Sequence, residues 1–203
     1  MSLEGSPSQR LMGVDPSFNR TGWALLVRAC RGKVVLAGFG IVVPRGNSRA
    51  QRLLSIQKAF QAVLAKCRPS RVVFEQPGKW MRRVGSSRWS VEAMAMARGV
   101  MLAACAELGV EAVEVDFQVA RRALLGSPNA GADAVIGFVR GMGLKPLRRP
   151  RGGVDLDVAN AVLMAAYGLS LSGRTGGLAR ELPDGRWAKL RGPAIPEPAT
   201  RPT

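Results

Sequence analysis

The beginning of the chain contains three short apolar segments whose connections are too short to hold a helix. They are RLMGVD (10–15), WALLVRA (23–29) and VVLAGFGIVV (34–43). The first connection, PSFNRTG (16–22), is rich in turn-forming residues, and the second is a tight turn around Arg-Gly-Lys. Because strands joined this closely pair antiparallel, residues 10–43 predict a three-stranded meander.

After this meander the pattern changes to helices that alternate with strands. The predicted elements are a helix at 46–67, a strand at 71–75, a helix from Ser90 to about 108, a strand within 110–117, two shorter helices near 118–125 and 129–141, and a final helix at 155–170. This order predicts an α/β fold in which a five-stranded mixed sheet carries helices on both faces.

The second helix is predicted to bury an apolar stripe. The stripe comprises Val91, Met94, Ala95, Met101, Leu102, Cys105 and Leu108. Gly109 follows it and is a typical helix terminator. Side chains in such a stripe belong more often to a core than to a ligand site, so no binding role is inferred from them.

Composition supports one folded domain with extensions. The chain has 203 residues, of which 47% are apolar, enough for a sizeable core. We expect residues 1–9 to be a flexible N-terminus, residues 10–171 to form the domain, and residues 172–203 to be a basic and mostly irregular tail. No apolar run approaches the ~20 residues that span a bilayer, so no membrane partner is expected.

The formal net charge is +16, from 30 Lys and Arg against 14 Asp and Glu. Solubility does not need such an excess, so the charge indicates a polyanionic partner, and nucleic acid is the first candidate. The turn NRTG lacks the Gly-Lys-Ser/Thr signature of phosphate-binding loops, so no nucleotide cofactor is expected.

The chain contains no histidine. This excludes Ser-His-Asp and Cys-His nucleophiles, HExxH zinc proteases and Cys2His2 zinc fingers. Cys30, Cys67 and Cys105 are far apart in apolar surroundings, which is typical of reduced core residues in a cytoplasmic protein. Hydrolytic chemistry in this chain must therefore use carboxylates, lysine, hydroxyls or a metal held by oxygen.

Acidic residues stand at the ends of two predicted strands and at the start of the last helix. Asp15 and Glu75 close strands, while Asp155 and Asp157 open the helix. If the two strands are neighbours, Asp15 and Glu75 lie side by side, and the last helix has only to pack across them. Oxygen ligands of this kind suit two Mg²⁺ ions, or Mn²⁺, which can hydrolyse a phosphodiester.

Each of these acids also has a purely structural interpretation. Asp15 before Pro16 can start an Asx-turn, and Glu75 can pair with an arginine at the sheet edge. Asp157 can be the N-cap of the last helix. The metal site is favoured because all the acids occur together with a strong positive charge and no histidine.

Four segments resemble the RuvC family of Holliday-junction resolvases. They are GVDPSFNRTGWALL, VVFEQP, MARGVMLAACAELGVEAVE and DVANAVLMAAYG, in the family's order and spacing from about residue 11 to residue 168. The resemblance implies a ribonuclease-H-like fold and a homodimer, with the helix of the third segment at its interface. It implies two symmetric, metal-dependent nicks in four-way junction DNA, and it singles out no branch-migration helicase partner.

The resemblance also implies a set of metal ligands. Asp15, Glu75 and Asp157 fall on ligand positions of the family, and the fourth ligand, normally an acid, falls on Asn160. Residues three apart share a helix face, so the geometry is kept while the negative charge is lost. Three accounts fit: this chain is an inactivated form of an aspartate-containing protein, Asp155 replaces the missing acid, or the protein binds junctions without cutting them.

Basic residues near the predicted site indicate a DNA-binding surface. The loop after the fourth strand interleaves cations with Trp80 and Trp89, and aromatic side chains can stack on exposed bases, although Trp89 also fits a core position. Where many members of the family carry lysines, this chain has Arg121 and the neutral Ala132. The predicted DNA-binding residues are Lys79, Trp80, Arg82, Arg83, Arg88, Arg121, Arg122, Arg148, Arg149 and Arg151.

Overall fold

The computed structural model describes residues 9–28, 33–76, 88–143, 155–172, 179–181 and 187–189. Its strands are β1 (Gln9–Asp15), β2 (Thr21–Arg28), β3 (Val34–Val42), β4 (Arg71–Gln76), β5 (Glu111–Asp116), β6 (Ala179–Glu181) and β7 (Trp187–Lys189). Its helices are α1 (Arg49–Cys67), α2 (Arg88–Glu107), α3 (Phe117–Leu125), α4 (Ala132–Gly141) and α5 (Leu156–Ser172). None of these helices is long and apolar enough to cross a membrane.

The first five strands form one mixed sheet in the order β3-β2-β1-β4-β5. The pairs β1–β2 and β2–β3 are antiparallel, as the meander predicts, whereas β4 runs parallel to both β1 and β5. β1 and β4 are thus adjacent strands, as the hypothesis of a metal site between Asp15 and Glu75 requires. Beyond α5 the structure describes only the short antiparallel pair β6–β7, and the expectation of a mostly irregular tail stays a prediction.

Side chains that alternate along the strands build two cores, one on each face of the sheet. On one face Met12, Val14 and Phe74 pack with α1 and α2. On the other face Leu11 and Val73 pack with α3, α4 and α5. All five side chains are almost completely buried, and burying each contributes roughly 1.5–3 kcal/mol. The prediction of helices on both faces is therefore confirmed.

Two glycines in the sheet let α5 lie directly on β1 and β2. A Cβ at Gly13 would collide with the backbone of α5 at Ala161 and Ala165, and one at Gly22 would collide with the backbone of Asp157. Glycine inside a strand is typical of a place where another backbone approaches closely. This contact fixes the first turns of α5 over the end of β1.

The start of α1 is set by a capping box. The Ser48 hydroxyl accepts a hydrogen bond from the backbone N–H of Gln51 at 3.2 Å, and the Gln51 side chain accepts one from the Ser48 N–H at 3.2 Å. Because β3 runs in the same direction as β1, α1 begins at the sheet edge where β1 ends. Arg49, its first residue, therefore lies at that edge.

The buried face of α2 differs from the predicted stripe. The buried residues are Ala93, Ala97, Met101, Ala104 and Cys105. The stripe was right for Met101 and Cys105 but wrong for Ala95 and Leu108, which are exposed. Small alanines on the buried face allow α2 to approach its neighbours closely, so the large side chains used for the prediction did not mark the core.

Candidate active site at the ends of β1 and β4

Two carboxylates meet where β1 and β4 end. The parallel register pairs Val14 with Phe74, so Asp15 and Glu75 occupy the next two facing positions. Residues two apart along a strand share a face, which puts both carboxyls on the side of the sheet that α5 covers. The fold therefore meets the condition under which Asp15 and Glu75 lie side by side, namely that β1 and β4 are neighbours.

The α5 helix supplies a third polar side chain to this pair. Asn160 Nδ2 donates a hydrogen bond to Asp15 Oδ2 at 2.9 Å. The other amide atom, Asn160 Oδ1, is buried and has no hydrogen-bond partner among the described residues. Asp157, one helical turn earlier, is close enough to raise the pKa of Asp15. A buried oxygen without a donor is costly unless a cation or water meets it.

Burial, together with neighbouring negative charge, raises the pKa of both carboxyls. Loss of solvent raises the pKa of Asp15 to about 6, against opposing hydrogen bonds from Asn160 and Glu75. Burial, followed by the charge of Asp15, raises the pKa of Glu75 well above its ordinary value. The Arg121 guanidinium lowers both pKa values, but less than burial raises them. A divalent cation would remove this penalty.

The acids at the start of α5 are held by an arginine of the β1–β2 turn. One oxygen of Asp155 accepts from Arg20 Nη2, and the other accepts from the backbone N–H of Asp157 at 3.2 Å. Arg20 Nε also lies 3.2 Å from Asp157 Oδ2. The cap of α5 is therefore made by Asp155, which is only 4% exposed. The interpretation of Asp157 as the N-cap is wrong.

The turn that carries Arg20 is closed by Ser17 and Thr21. The Thr21 hydroxyl donates to the Ser17 carbonyl at 2.9 Å and accepts from the Ser17 N–H at 3.1 Å. Thr21 is completely buried. These bonds, rather than an Asx-turn at Asp15, organise the turn and leave the Asp15 carboxyl directed at Asn160.

Sequence reasoning did not identify Arg20. Its partner Asp155 lies 135 positions away, so no local spacing relates the two residues. The only sequence signal was the excess of basic residues, which does not distinguish one arginine from another.

Most of the predicted DNA-binding residues cannot be placed in the fold. Lys79, Trp80, Arg82, Arg83, Arg148, Arg149 and Arg151 lie outside the described residues, and so does the side chain of Arg88, where α2 begins. Arg121 and Arg122 lie on α3, where Arg121 stacks on Phe117 at 4.1 Å and Arg122 is exposed. Trp89 is 45% exposed and is not a core residue.

The donors present fit a divalent cation, although the acids alone do not form a ready-made cage. Within the described ranges no three His, Cys, Asp or Glu side chains converge closely enough to hold a metal by themselves. Beside Asp15 the helix α5 places the amide of Asn160 instead of a carboxylate, and Asp157 pairs with Arg20. Asp15, Glu75 and the free oxygen of Asn160 nevertheless offer the oxygen donors that Mg²⁺ prefers.

Comparison with known proteins gives one consistent result. Curated relatives named crossover junction endodeoxyribonuclease RuvC include that of Nitratidesulfovibrio vulgaris, 28% identical over 68% of this chain and 81% of the relative. The relative from Bdellovibrio bacteriovorus is 27% identical over 77% of this chain and 88% of its own length.

Solved structures show the same fold. The Thermus thermophilus RuvC structure matches 81% of this chain and 97% of its own, with a TM-score of 0.64 and 24% identity. The T. thermophilus RuvC solved with a Holliday junction substrate gives a TM-score of 0.67 at 23% identity, over 81% of this chain and 94% of that one. The ribonuclease-H-like fold implied by the sequence motifs is therefore confirmed.

The family model for crossover junction endodeoxyribonuclease RuvC matches residues 11–166, about the range over which the sequence motifs were found. That match covers well over half of the chain and includes both strands and the helix of the site. The chain therefore belongs to the RuvC family of crossover junction endodeoxyribonucleases.

Proposed function

We propose that this chain resolves four-way (Holliday) DNA junctions by two symmetric nicks, and that Asp15, Glu75, Asp157 and Asn160 hold the metal ions for this reaction. Its family makes it a hydrolytic endonuclease of DNA recombination and repair. The observation that supports the residue assignment is the meeting of Asp15 and Glu75 at the ends of neighbouring parallel strands, with α5 across them.

RuvC-family nucleases use divalent metals, and the finer proposal is two Mg²⁺ ions, with Mn²⁺ able to replace them. The support is chemical: the donors are all oxygens, and the buried oxygen of Asn160 faces no donor among the described residues. When bound, two such ions activate a water and stabilise the leaving oxygen of a phosphodiester. The family match itself does not distinguish Mg²⁺ from other divalent ions.

The side chains have separate tasks in this proposal. Asp15 and Glu75 supply the negative charge that binds cations once both are ionised. Asn160 orients one oxygen of Asp15 through its amide N–H and offers its own carbonyl oxygen. Arg121 is close enough to lower the pKa of both acids and would face the charge of a bound phosphate. It would not donate a proton, because a guanidinium keeps its proton.

Arg20 determines how Asp157 takes part. Its guanidinium lies against Asp157 and Asp155, so Asp157 already has a cation beside it. We infer that Asp157 would serve as a ligand in place of its contact with this guanidinium. Both oxygens of Asp155 are engaged, by Arg20 and by the helix cap. We therefore assign Asp155 a structural role and do not propose it as the replacement acid.

Asn160 is expected to slow the reaction rather than to change its substrate. A neutral amide oxygen contributes one donor but none of the charge that a carboxylate would bring to the cations. The alternatives of a flap or RNA–DNA hybrid substrate are not favoured by the family match. If the missing negative charge abolished metal binding, the protein would bind junctions without cutting them.

One experiment tests the assignment. The unchanged protein and its Asn160→Asp and Asp15→Asn variants are incubated with a four-way junction, a flap and an RNA–DNA hybrid in Mg²⁺ or Mn²⁺. We expect symmetric nicks in the junction alone, faster by about 10-fold or more in Asn160→Asp, and none in Asp15→Asn. Cleavage of the hybrid but not of the junction would refute the substrate, and full activity of Asp15→Asn would refute the site.

A homodimer is part of the proposal because paired nicks need two sites. The exposed face of α2 carries small residues that permit close approach of a second helix. They are Ala95, Gly99, Ala103 and Ala106. A symmetric dimer uses the same patch on both subunits, so one charge at Ala103 is placed twice in the interface. Ala103→Glu should sediment as a monomer, whereas Ala62→Glu, on the exposed side of α1, should stay dimeric.

A cytoplasmic location is also proposed. Cys67 and Cys105 are free and buried. Burial raises the pKa of the Cys105 thiol to about 11, so this thiol resists deprotonation and oxidation. Reduced, unreactive thiols of this kind are typical of a reducing compartment.

A further inference from the structure

A surface beside the proposed site consists of two arginines stacked on two aromatic rings. The Arg49 guanidinium lies 4.1 Å from the ring centre of Trp89, and that of Arg52 lies 4.8 Å from the ring centre of Phe18. The two rings meet edge to face, with centres 6.3 Å apart and planes at 71°. We call these four residues the arginine–aromatic stack. They come from the β1–β2 turn and from the starts of α1 and α2.

The Arg49 side of the stack is exposed, whereas Phe18 is only 9% exposed and Arg52 is half-buried. Trp89 is 45% exposed, and Arg49 is exposed as well. Among the described residues neither Arg49 nor Arg52 forms an ion pair. Within the described ranges, Arg52 donates to two neutral oxygens, the Phe18 carbonyl at 3.3 Å and the Asn19 side chain at 2.9 Å. The two guanidinium groups are thus held against aromatic rings, and no carboxylate in the described part of the chain pairs with them.

The local backbone adds to this positive potential. Helices α1 and α2, of 19 and 20 residues, both start at the stack, and neither has an acidic residue in its first turn. The exposed N–H groups of a helix N-terminus carry partial positive charge. Arginine stacked on a ring keeps the edges of its guanidinium free, and it loses little freedom when it binds a phosphate.

The stack lies at the same end of the sheet as the proposed site but on the other face, because Phe18 packs in the core of α1 and α2 whereas Asp15 contacts Asn160 of α5. Phe18 follows Asp15 by three positions, in the same closed turn as Arg20. Trp89 opens the helix that follows β4, the strand of Glu75. A DNA strand that reached Asp15 across this end of the sheet from the side of α1 and α2 would pass over this surface.

We propose that the arginine–aromatic stack binds the sugar–phosphate backbone of the substrate strand next to the cleaved bond. Arg49 and Arg52 take phosphate oxygens, while Trp89 and Phe18 hold the guanidinium planes in place. The inference rests on the proposed function, because it takes junction DNA as the ligand. It adds Arg49 and Arg52, which the sequence motifs did not indicate, and gives Trp89 and Phe18 a supporting role.

The test measures binding without cleavage. A fluorescent four-way junction and a linear duplex of equal length are titrated in EDTA at several KCl concentrations, and log K is plotted against log salt. The variants are Arg49→Ala, Arg49→Lys and Trp89→Ala. The matched control is Lys66→Ala, which removes the same charge from the last turn of α1, about 25 Å along the helix.

Each lost phosphate contact should reduce the salt slope by about 0.9. We expect this reduction for Arg49→Ala, with roughly 5-fold weaker junction binding, and no reduction for Arg49→Lys or Lys66→Ala. Trp89→Ala should weaken binding by about 2- to 5-fold, because Arg49 loses its support. Equal slopes for Arg49→Ala and Lys66→Ala would overturn the proposal.

The two proposals fail in different ways in this experiment. If the unchanged protein does not prefer the junction to the duplex, the proposed function is wrong, while the slope of Arg49→Ala on the duplex still tests the stack. If the junction is preferred but Arg49→Ala binds it like the unchanged protein, only the stack is wrong. Unfolding curves of every variant check that the fold is intact.

Discussion

Two acidic pairs lie close enough in the fold for Asp157 to raise the pKa of Asp15, but their surroundings differ. The inner pair, Asp15 and Glu75, is partly buried and has raised pKa values, with Arg121 as a weak counter-charge. The outer pair, Asp155 and Asp157, is held by the guanidinium of Arg20, and Asp155 also caps α5. The difference is whether the protein itself supplies the cation.

The two acidic pairs differ in whether they are suited to bind a metal ion or to hold the helix start in place. A carboxylate pair that already faces an internal cation binds a metal ion only by giving up that contact. A pair without one remains costly until a cation binds from solution, which is the electrostatic property expected of a metal site. We therefore place the centre of the proposed chemistry at the inner pair and regard Arg20 and Asp155 as its frame.

The largest expected effect comes from breaking the contact that holds both pairs together. Gly13→Ala puts a methyl group against the backbone of α5 and should cost about 3 kcal/mol of unfolding free energy. Gly137→Ala is the control, since its Cβ meets nothing within 4 Å on α4, and it should stabilise by up to about 1 kcal/mol. Urea unfolding measures both; a similar stability for the two variants would contradict the close packing of α5.

The second effect tests the outer pair. Arg20→Ala leaves the buried carboxylate of Asp155 without its guanidinium and should cost about 2 kcal/mol of unfolding free energy. Arg71→Ala is the matched control, because its partner Glu111 has a side chain that is 56% exposed, and it should cost less than about 1 kcal/mol. Equal losses, measured by chemical unfolding, would mean that Arg20 is an ordinary surface partner.

The third effect tests the inner pair through pH. The raised pKa of Asp15 means that the fold favours its protonated carboxyl. The protonated carboxyl therefore contributes fully to stability below the ordinary pKa of 3.8, and this contribution is lost as the pH rises through about 6. The metal-free protein should therefore lose on the order of 1–3 kcal/mol between about pH 4 and pH 7 from Asp15. The pKa of Glu75 is also raised, so its ionisation extends the loss of stability to higher pH.

Thermal unfolding as a function of pH measures this loss, and Asp15→Asn provides its control. The variant should have a flatter profile because it cannot ionise at this position. Added Mg²⁺ should raise the melting temperature more at pH 8 than at pH 5, since only ionised carboxylates bind it. An Mg²⁺ effect that is independent of pH would show that the inner pair is not the binding site.

The smallest effect concerns Arg121. Because its guanidinium lowers the pKa of Asp15 and Glu75, Arg121→Gln should move the midpoint of the pH–stability profile upward by about half a pH unit. Arg122→Gln, on the exposed side of the same helix, should leave the midpoint unchanged. A carbon NMR titration of the carboxyls gives a second measurement, and equal shifts in both variants would contradict the assignment.

The sequence was a good guide where neighbouring residues determine structure. Alternation and helical spacing predicted the five strands of the sheet and the order of the helices, with boundaries within three residues of those found. The stripe of α2 was partly wrong, since alanines rather than large side chains face the core there. Hydrophobic size predicts burial only where the packing distance allows a large side chain.

The site was predictable in its residues but not in its pairings. Asp15 and Glu75 could be chosen because each closes a strand, and their adjacency followed once β1 and β4 were neighbours. The contact from Arg20 to Asp155 and the stack of Arg49 on Trp89 had no sequence signal. Each of these joins segments that only the fold brings together.

The sequence by itself determined the elements, the excess of positive charge and the presence of acids at strand ends, because these depend on residue type and short spacing. The tertiary structure alone decided which acid receives an internal cation and which remains without one. The physical reason is that desolvation and Coulomb interactions depend on distances in space, and here those distances join residues more than a hundred positions apart.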